Sequence, residues 1–286
     1  VDRKIVGFFV CVFATALILI PKSALAGEKA SYGSKITLYK QKFDSLKTGP
    51  TQPFPGAAGQ DGWFRQLAVS PAYGEIGSSI ALGRKALHEF TSSSLGGPVQ
   101  TIDDRLITPP DLSRYPRITL KASFYAHTSD QRAGNTYNAR IAVRGGPHPG
   151  YEIVGVGVNS GNGTPKDIVG VNIWLDSFNG VDNNQPIALT VGRNLTWNNW
   201  HAVTLIADQA KDRYVSLEVD GRVQDLSAYR LPRSKTDTDV WERGQLMQFI
   251  RAEIVPNVSE AGSSEDDVYW DNVNIVVERP RKGKSQ

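Results

Sequence analysis

The chain has 286 residues, 40% of them hydrophobic, with 27 Gly, 16 Pro and a single Cys. That length and apolar fraction suffice for one large β-type domain, and a single cysteine excludes a disulfide framework. The formal charge of +3 comes from 32 basic and 29 acidic residues, a balance too even to mark a nucleic-acid-binding surface.

Residues 1–26 read VDRKIVGFFVCVFATALILIPKSALA, with a charged start (Asp2, Arg3, Lys4), an apolar run from Ile5 to Ile20 and small residues at Ala24 and Ala26. This is the layout of a secretory signal peptide cleaved after Ala26, since the run falls short of the roughly 20 residues a spanning helix needs. A Val in first place is what a bacterial GTG start codon gives when read literally. Cleavage removes Cys11 together with Asp2, Arg3, Lys4 and Lys22. The exported chain is therefore expected to be thiol-free, close to neutral, and secreted or periplasmic without a membrane anchor, its fold resting on the core alone.

Residues 27–35 are read as an extension. From Ile36 to Arg279 one pattern repeats, short runs with an apolar residue at every second place, broken by turn residues. TGPTQPFPGAAGQDG (48–62) cannot continue a sheet through its prolines and glycines and is expected to be a surface excursion ending at Trp63. Strands are predicted at 117–126, 138–145, 151–158, 167–178, 201–208, 214–221, 248–255 and 268–278, because side chains two apart share one face of an extended chain. RGGPHPG (144–150) and NSGNGTPKD (159–167) are the reversals between successive strands. TDVWERGQLM (238–247) alone could hold a helical turn. About a dozen strands without a 3.6-residue period predict an all-β antiparallel sandwich, one domain over 36–279 with a basic tail at 280–286.

Within RYVSLEVDGRV (213–223), Val215, Leu217 and Val219 share a face and are expected in the core, leaving Ser216, Glu218 and Asp220 outside. Asp220-Gly221 then supplies the positive φ of a tight hairpin.

Several segments resemble a known superfamily in the right order: FDSL (43–46) with GQDGWF (59–64), GRKALHEF (83–90), WNNWHAVTLIADQAKDRYVSLEVDGR (197–222) and DDVYWDNVNIVV (266–277). They resemble the concanavalin A-like lectin and glucanase superfamily, in particular its bacterial secreted and laminin G-like members. The resemblance implies a jelly-roll sandwich of two curved antiparallel sheets whose concave face or edge loops meet a glycan. It further implies a structural Ca2+ where first and last strands pair, at Asp44 and Asp271, and packing of Trp200 inside. Laminarinase-type relatives carry their acids on an E-x-D-x-x-E strand. Glu218 and Asp220 match its first half, and the chain then reads Gly221, Arg222, Val223 without the further acid. Glycoside hydrolysis needs two carboxyl groups flanking the scissile bond, about 5 to 9.5 Å apart, so these two are weak catalytic candidates.

A lyase on this fold needs a Tyr or His base beside a cation that neutralises a uronate carboxylate. Tyr125, His127, Tyr137, Arg140 and Arg144 are the nearest such set, on two strands expected to be neighbours. Asp182, Asn183 and Asn184 offer a second set of hard oxygen ligands for calcium. His88, His127, His148 and His201 are scattered, with no zinc-type spacing, and read as packing or surface residues. Sugars stack their C–H faces on indole and phenol rings. Trp63, Trp241 and Trp197, in loop-like contexts, are therefore the candidate glycan contacts together with Arg140 and Arg144, while Trp174 and Trp270 lie in apolar runs. The sequence points to a secreted, non-catalytic polysaccharide-binding sandwich. A structural or protein-binding surface module, and a polysaccharide hydrolase or lyase on the same fold, are the alternatives.

Overall fold

The computed structural model describes residues 32–50, 52–53, 60–67, 73–78, 83–92, 101–107, 114–128, 136–145, 151–160, 168–175, 185–188, 190–192, 194–231, 248–257 and 265–280. The chain divides into Val1–Ser31 and Tyr32–Gln286. The first unit, and with it the signal-peptide expectation, lies outside the described residues, as do 238–247, Trp241 and Asp182, Asn183 and Asn184.

The strands are β1 (Tyr32–Gln41), β2 (Gly49–Pro50), β3 (Gln52–Pro53), β4 (Trp63–Leu67), β5 (Tyr73–Ser78), β6 (Lys85–Ser92), β7 (Thr101–Ile107), β8 (Arg117–Thr128) and β9 (Thr136–Gly145). They continue with β10 (Tyr151–Ser160), β11 (Ile168–Leu175), β12 (Gln185–Ala188), β13 (Leu195–Thr196), β14 (Trp200–Asp208), β15 (Arg213–Val219), β16 (Arg222–Asp225), β17 (Gln248–Asn257) and β18 (Glu265–Pro280). Sheet A runs β16-β15-β14-β8-β18-β6-β5-β2, with β1 also on β18; sheet B runs β12-β11-β10-β9-β17-β7-β4-β3, with β13 also on β11. First and last strands pair antiparallel, from Tyr32 opposite Pro280 to Gln41 opposite Val273. The result is an all-β jelly-roll sandwich.

Alternation explains why the sheets close on each other. Ile118, Leu120 and Phe124 of β8 and Val268, Trp270 and Ile275 of β18 are buried in one apolar cluster with Ile141, Val156 and Ile250 of sheet B. Each such side chain contributes about 1.5 to 3 kcal/mol by leaving water. The opposite positions of β8, at Lys121, Ser123, Tyr125 and His127, form the outer face of sheet A.

Three expectations change. The hairpin at 213–223 is present, with Asp220 at φ 49° and Gly221 at φ 79°, but Val215 is only half-buried. The register skips from Ile206 opposite Ser216 to Ala207 opposite Tyr214, so a bulge passes over Val215 and puts Tyr214 beside Leu217 and Val219 in the core. Second, 48–62 is not wholly an excursion. Pro50 and Pro53 sit in the two-residue strands β2 and β3, each at a sheet edge, where the missing N–H breaks no ladder. Third, the proposed lyase set is split. Tyr125 and His127 lie on β8 of sheet A, whereas Tyr137, Arg140 and Arg144 lie on β9 of sheet B. β8 and β9, though consecutive, lie in different sheets and do not pair.

Candidate functional site

The outer face of sheet A carries a row of rings set by cross-strand register. Trp200 lies opposite Tyr125, Tyr125 opposite Tyr269, Tyr269 opposite His88, and His88 opposite Glu75. Neighbouring strands are about 4.8 Å apart, so side chains in one row touch. His88 stacks on Tyr269 with centroids 4.1 Å apart and planes 6° from parallel. Tyr125 meets Tyr269 edge-on at 5.9 Å and Trp200 at 5.7 Å. Trp200 and Tyr269 are half-buried and so reach solvent. The Arg84 guanidinium lies 3.7 Å from the centre of the Trp200 ring, a cation–π contact, and the indole Nε1 of Trp200 is buried without a hydrogen-bond acceptor.

At the far end of the row, charge is concentrated. Asp267 lies one row on, between Phe90 and His127. Its Oδ1 is 2.5 Å from His88 Nε2 and its Oδ2 is 3.1 Å from His127 Nδ1. His88 Nδ1 is 3.2 Å from Glu75 Oε1. Because both neighbours of His88 are carboxylates, both of its ring nitrogens must carry protons to satisfy them. Burial alone pushes His88 down, but the hydrogen bonds to Asp267 and Glu75 outweigh it and hold the imidazolium above its ordinary value. Burial likewise pushes Asp267 up, and the hydrogen bonds from His127 and His88 more than reverse this. Burial raises the Tyr125 phenol.

The sequence candidates are placed as follows. Trp63 is fully buried, its Nε1–H donating to Tyr39 Oη at 2.9 Å. Tyr39 in turn donates to Asp61 at 2.7 Å, and burial and this bond hold its phenol well above the ordinary range. Trp197 is also buried, at 6% exposure. Both therefore belong to the apolar core cluster and are not exposed sugar contacts. Trp200, expected inside, is instead on the outer face. Asp220 accepts from the Ala202 N–H at 2.9 Å and lies 2.7 Å from His201 Nδ1, so it pins the hairpin; Glu218 is exposed opposite Thr204. Arg140 is half-buried on sheet B, and the Arg144 side chain lies outside what is described. His88, Glu75, Asp267, Tyr269 and Arg84 were missed. Their signal was parity: Tyr125-x-His127 and Asp267-x-Tyr269 both present polar or aromatic groups on the face opposite an apolar run.

Asp44 and Asp271 do sit near each other, close to where β1 ends beside β18. The Asp271 carboxylate, 1% exposed, takes the Arg84 guanidinium at 3.2 Å, the Asn272 amide at 3.1 Å and the Phe43 N–H at 3.4 Å. Asp44 accepts from the Lys85 N–H at 3.1 Å. Among the described residues no group of three or more His, Cys, Asp or Glu forms a cation site.

The architecture is an all-β sandwich of two mostly antiparallel sheets. No protein-family model and no curated protein matches the chain. Among solved structures it is similar to a variant of alginate lyase Aly36B in complex with alginate trisaccharide, with 14% identity, coverage of 88% of this chain and 100% of that one, and a TM-score of 0.47. Alginate lyase PA1167 from Pseudomonas aeruginosa is 10% identical over 66% of this chain and 82% of its own, with a TM-score of 0.41. A carbohydrate esterase from the Shiga toxin-encoding bacteriophage phi24B is 13% identical over 82% and 99%, with a TM-score of 0.41. These likenesses are of fold.

Proposed function

We propose that the protein binds a polysaccharide on the outer face of sheet A. The observation that carries this reading is the ring row Trp200, Tyr125, Tyr269 and His88, in which Trp200 and Tyr269 reach solvent over the buried Tyr125 and His88, flanked by Arg84, His127, Asp267 and Glu75. Rings offer stacking to sugar C–H faces, and the flanking groups offer hydrogen bonds to hydroxyls. The leader-like pattern at 1–26 supports a periplasmic or extracellular setting for this binding. The test is isothermal titration against neutral and acidic oligosaccharides. Trp200→Ala and Tyr269→Ala should each weaken retention by about tenfold, the loss of one stacking contact. Retention of no glycan by the unaltered protein sinks the reading.

A second reading, glycan cleavage, is favoured by the His127, Asp267, His88 arrangement beside Tyr125. A carboxylate that holds an imidazole through Nδ1 fixes the tautomer whose Nε2 serves as a general base. On this reading His127 takes a proton from the substrate, Asp267 steadies the imidazolium that forms, and Tyr125 lies in reach as a hydroxyl donor. Release of reducing ends or unsaturated uronates from a polysaccharide panel, abolished by His127→Ala with binding retained, supports it. Binding without release leaves the protein a lectin.

A further inference from the structure

The same face holds a second row that the rings do not use. Lys40 of β1 lies opposite Asn274 of β18, Asn274 opposite Lys121 of β8, and Lys121 opposite Thr204 of β14. Lys42 follows directly after β1. These side chains, with Asn272 and Ser123, border a groove of about 280 Å³ whose floor is low because Ala202 and Ser123 are small.

Two observations mark the groove as built for a ligand. Lys40, Lys42 and Lys121 are all exposed, and none has an ion-pair partner among the described residues. Three like charges around one opening repel each other, a cost that an anion in their midst converts into attraction. In addition, Oδ1 of Asn274, between Lys40 and Lys121 in the row, is buried without a hydrogen-bond partner. A buried acceptor left unmatched is costly, and a ligand hydroxyl supplies the missing proton.

Spacing ties the two rows together. From Trp200 to Thr204 and from Tyr125 to Lys121 is four residues, roughly 13 Å along the strands at about 3.3 Å per residue. One extended oligosaccharide lying along β8 and β14 reaches from the rings to the lysines. We propose that the groove takes the acidic group of a carboxylate- or sulfate-bearing glycan, with Lys40, Lys42 and Lys121 around the anion and Asn274 accepting from a neighbouring hydroxyl. This rests on the reading of the ring row as a sugar platform, and it names the substrate class.

The experiment titrates the full chain with three oligosaccharides of matched length: an oligogalacturonate, a chondroitin sulfate fragment and a neutral xylo-oligosaccharide. Measurements run at about 0.01 M and about 0.15 M salt, between which the Debye length falls from about 30 to about 8 Å. At low salt the acidic probe is expected to bind at least about tenfold tighter than the neutral one, three exposed pairs at a few tenths to one kcal/mol each. Raising the salt, or making the triple variant Lys40→Gln, Lys42→Gln, Lys121→Gln, should erase that difference and leave the neutral probe unchanged. Whichever acidic probe shows the effect distinguishes carboxylate from sulfate. Equal binding of acidic and neutral probes, or unchanged acidic affinity in the triple variant, overturns the groove while leaving the ring row standing. Acidic binding lost in the lysine variant but untouched by Trp200→Ala overturns the ring row and keeps the groove. Binding of none of the probes overturns both. Since all three lysines are exposed, an unchanged melting temperature serves as the folding control.

Discussion

His88→Ala gives the sharpest test of the charge cluster, because its effect must change with pH in a stated direction. The imidazolium makes two hydrogen bonds to carboxylates, each worth about 1.5 to 3 kcal/mol when the partner is charged. Glu75 is 33% exposed at its side chain and rehydrates when abandoned, while Asp267, at 16%, does so less. Discounting the Glu75 bond for solvent screening leaves about 2 kcal/mol that depends on charge. The lost stack on Tyr269 adds about 1 kcal/mol that does not. His88 has its folded pKa above 6.5, so its contribution is fully present below pH 6.5 and is lost as pH rises through the folded value. Asp267 has its folded pKa below 3.8, so its contribution is present above 3.8 and lost as pH falls through the folded value. The gap between the native protein and His88→Ala is therefore greatest between about pH 4 and 6.5. Urea unfolding should show a difference of about 3 kcal/mol near pH 5, roughly 1 M in the midpoint for a chain of this size. By about pH 10 the gap should narrow towards 1 kcal/mol, the stacking part alone. A gap that is the same at both pH values, or wider at the alkaline one, refutes the imidazolium and the two-carboxylate geometry on which it rests.

A methyl group added at Gly192 would lie 2.5 Å from Val171 Cβ and 3.3 Å from its Cα. Gly192→Ala should therefore cost about 1 to 3 kcal/mol by overpacking, read as a lower melting temperature. Asp220→Ala loses the bonds to Ala202 and His201 and leaves a Cβ at φ 49°. Asp220→Gly loses the same bonds without that strain, and should be the more stable of the two by about 1 kcal/mol in urea. At the Asp44 and Asp271 calcium candidate, the Arg84 guanidinium already faces the Asp271 carboxylate. EDTA should then leave the melting temperature unchanged, and a drop of several degrees reversed by Ca2+ would restore the cation.

Local alternation was enough to read most of the fold. The strand predicted at 248–255 is observed at Gln248–Asn257 and that at 268–278 at Glu265–Pro280, because period-2 burial depends only on neighbours in the chain. Side-chain exposure was less legible. Trp63 follows a Gly-rich loop and reads as exposed, yet its indole nitrogen finds Tyr39, 24 residues earlier, and only the folded pairing reveals that partner. Asp271 was placed correctly beside the first strand, but Arg84, which neutralises it, comes from a third segment. The ring row was hidden for the same reason. His88, Tyr125, Trp200 and Tyr269 are ordinary outward positions on four strands, and nothing in any one strand fixes which of them stand side by side.

Parity on β18 shows how one residue decides the character of the face. Tyr269 and Asn274 are five apart, so a regular strand would turn them to opposite sides of the sheet. Their partners on β8, Tyr125 and Lys121, are four apart and share a side. The conflict is resolved by the register shift between Asp271 and Asn274, where Asn272 adopts φ 52°, a left-handed conformation that Asn tolerates better than most residues. The bulge keeps Val273 in the core at 0% exposure and returns Asn274 to the outer face, where Lys40 and Lys121 flank it. Asn272 itself turns its amide to Ser123 and Asp271. Were the same five-residue spacing run as a regular strand without the bulge, Tyr269 and Asn274 would lie on opposite sides of β18, and the outer face of sheet A would lose Asn274 from between Lys40 and Lys121.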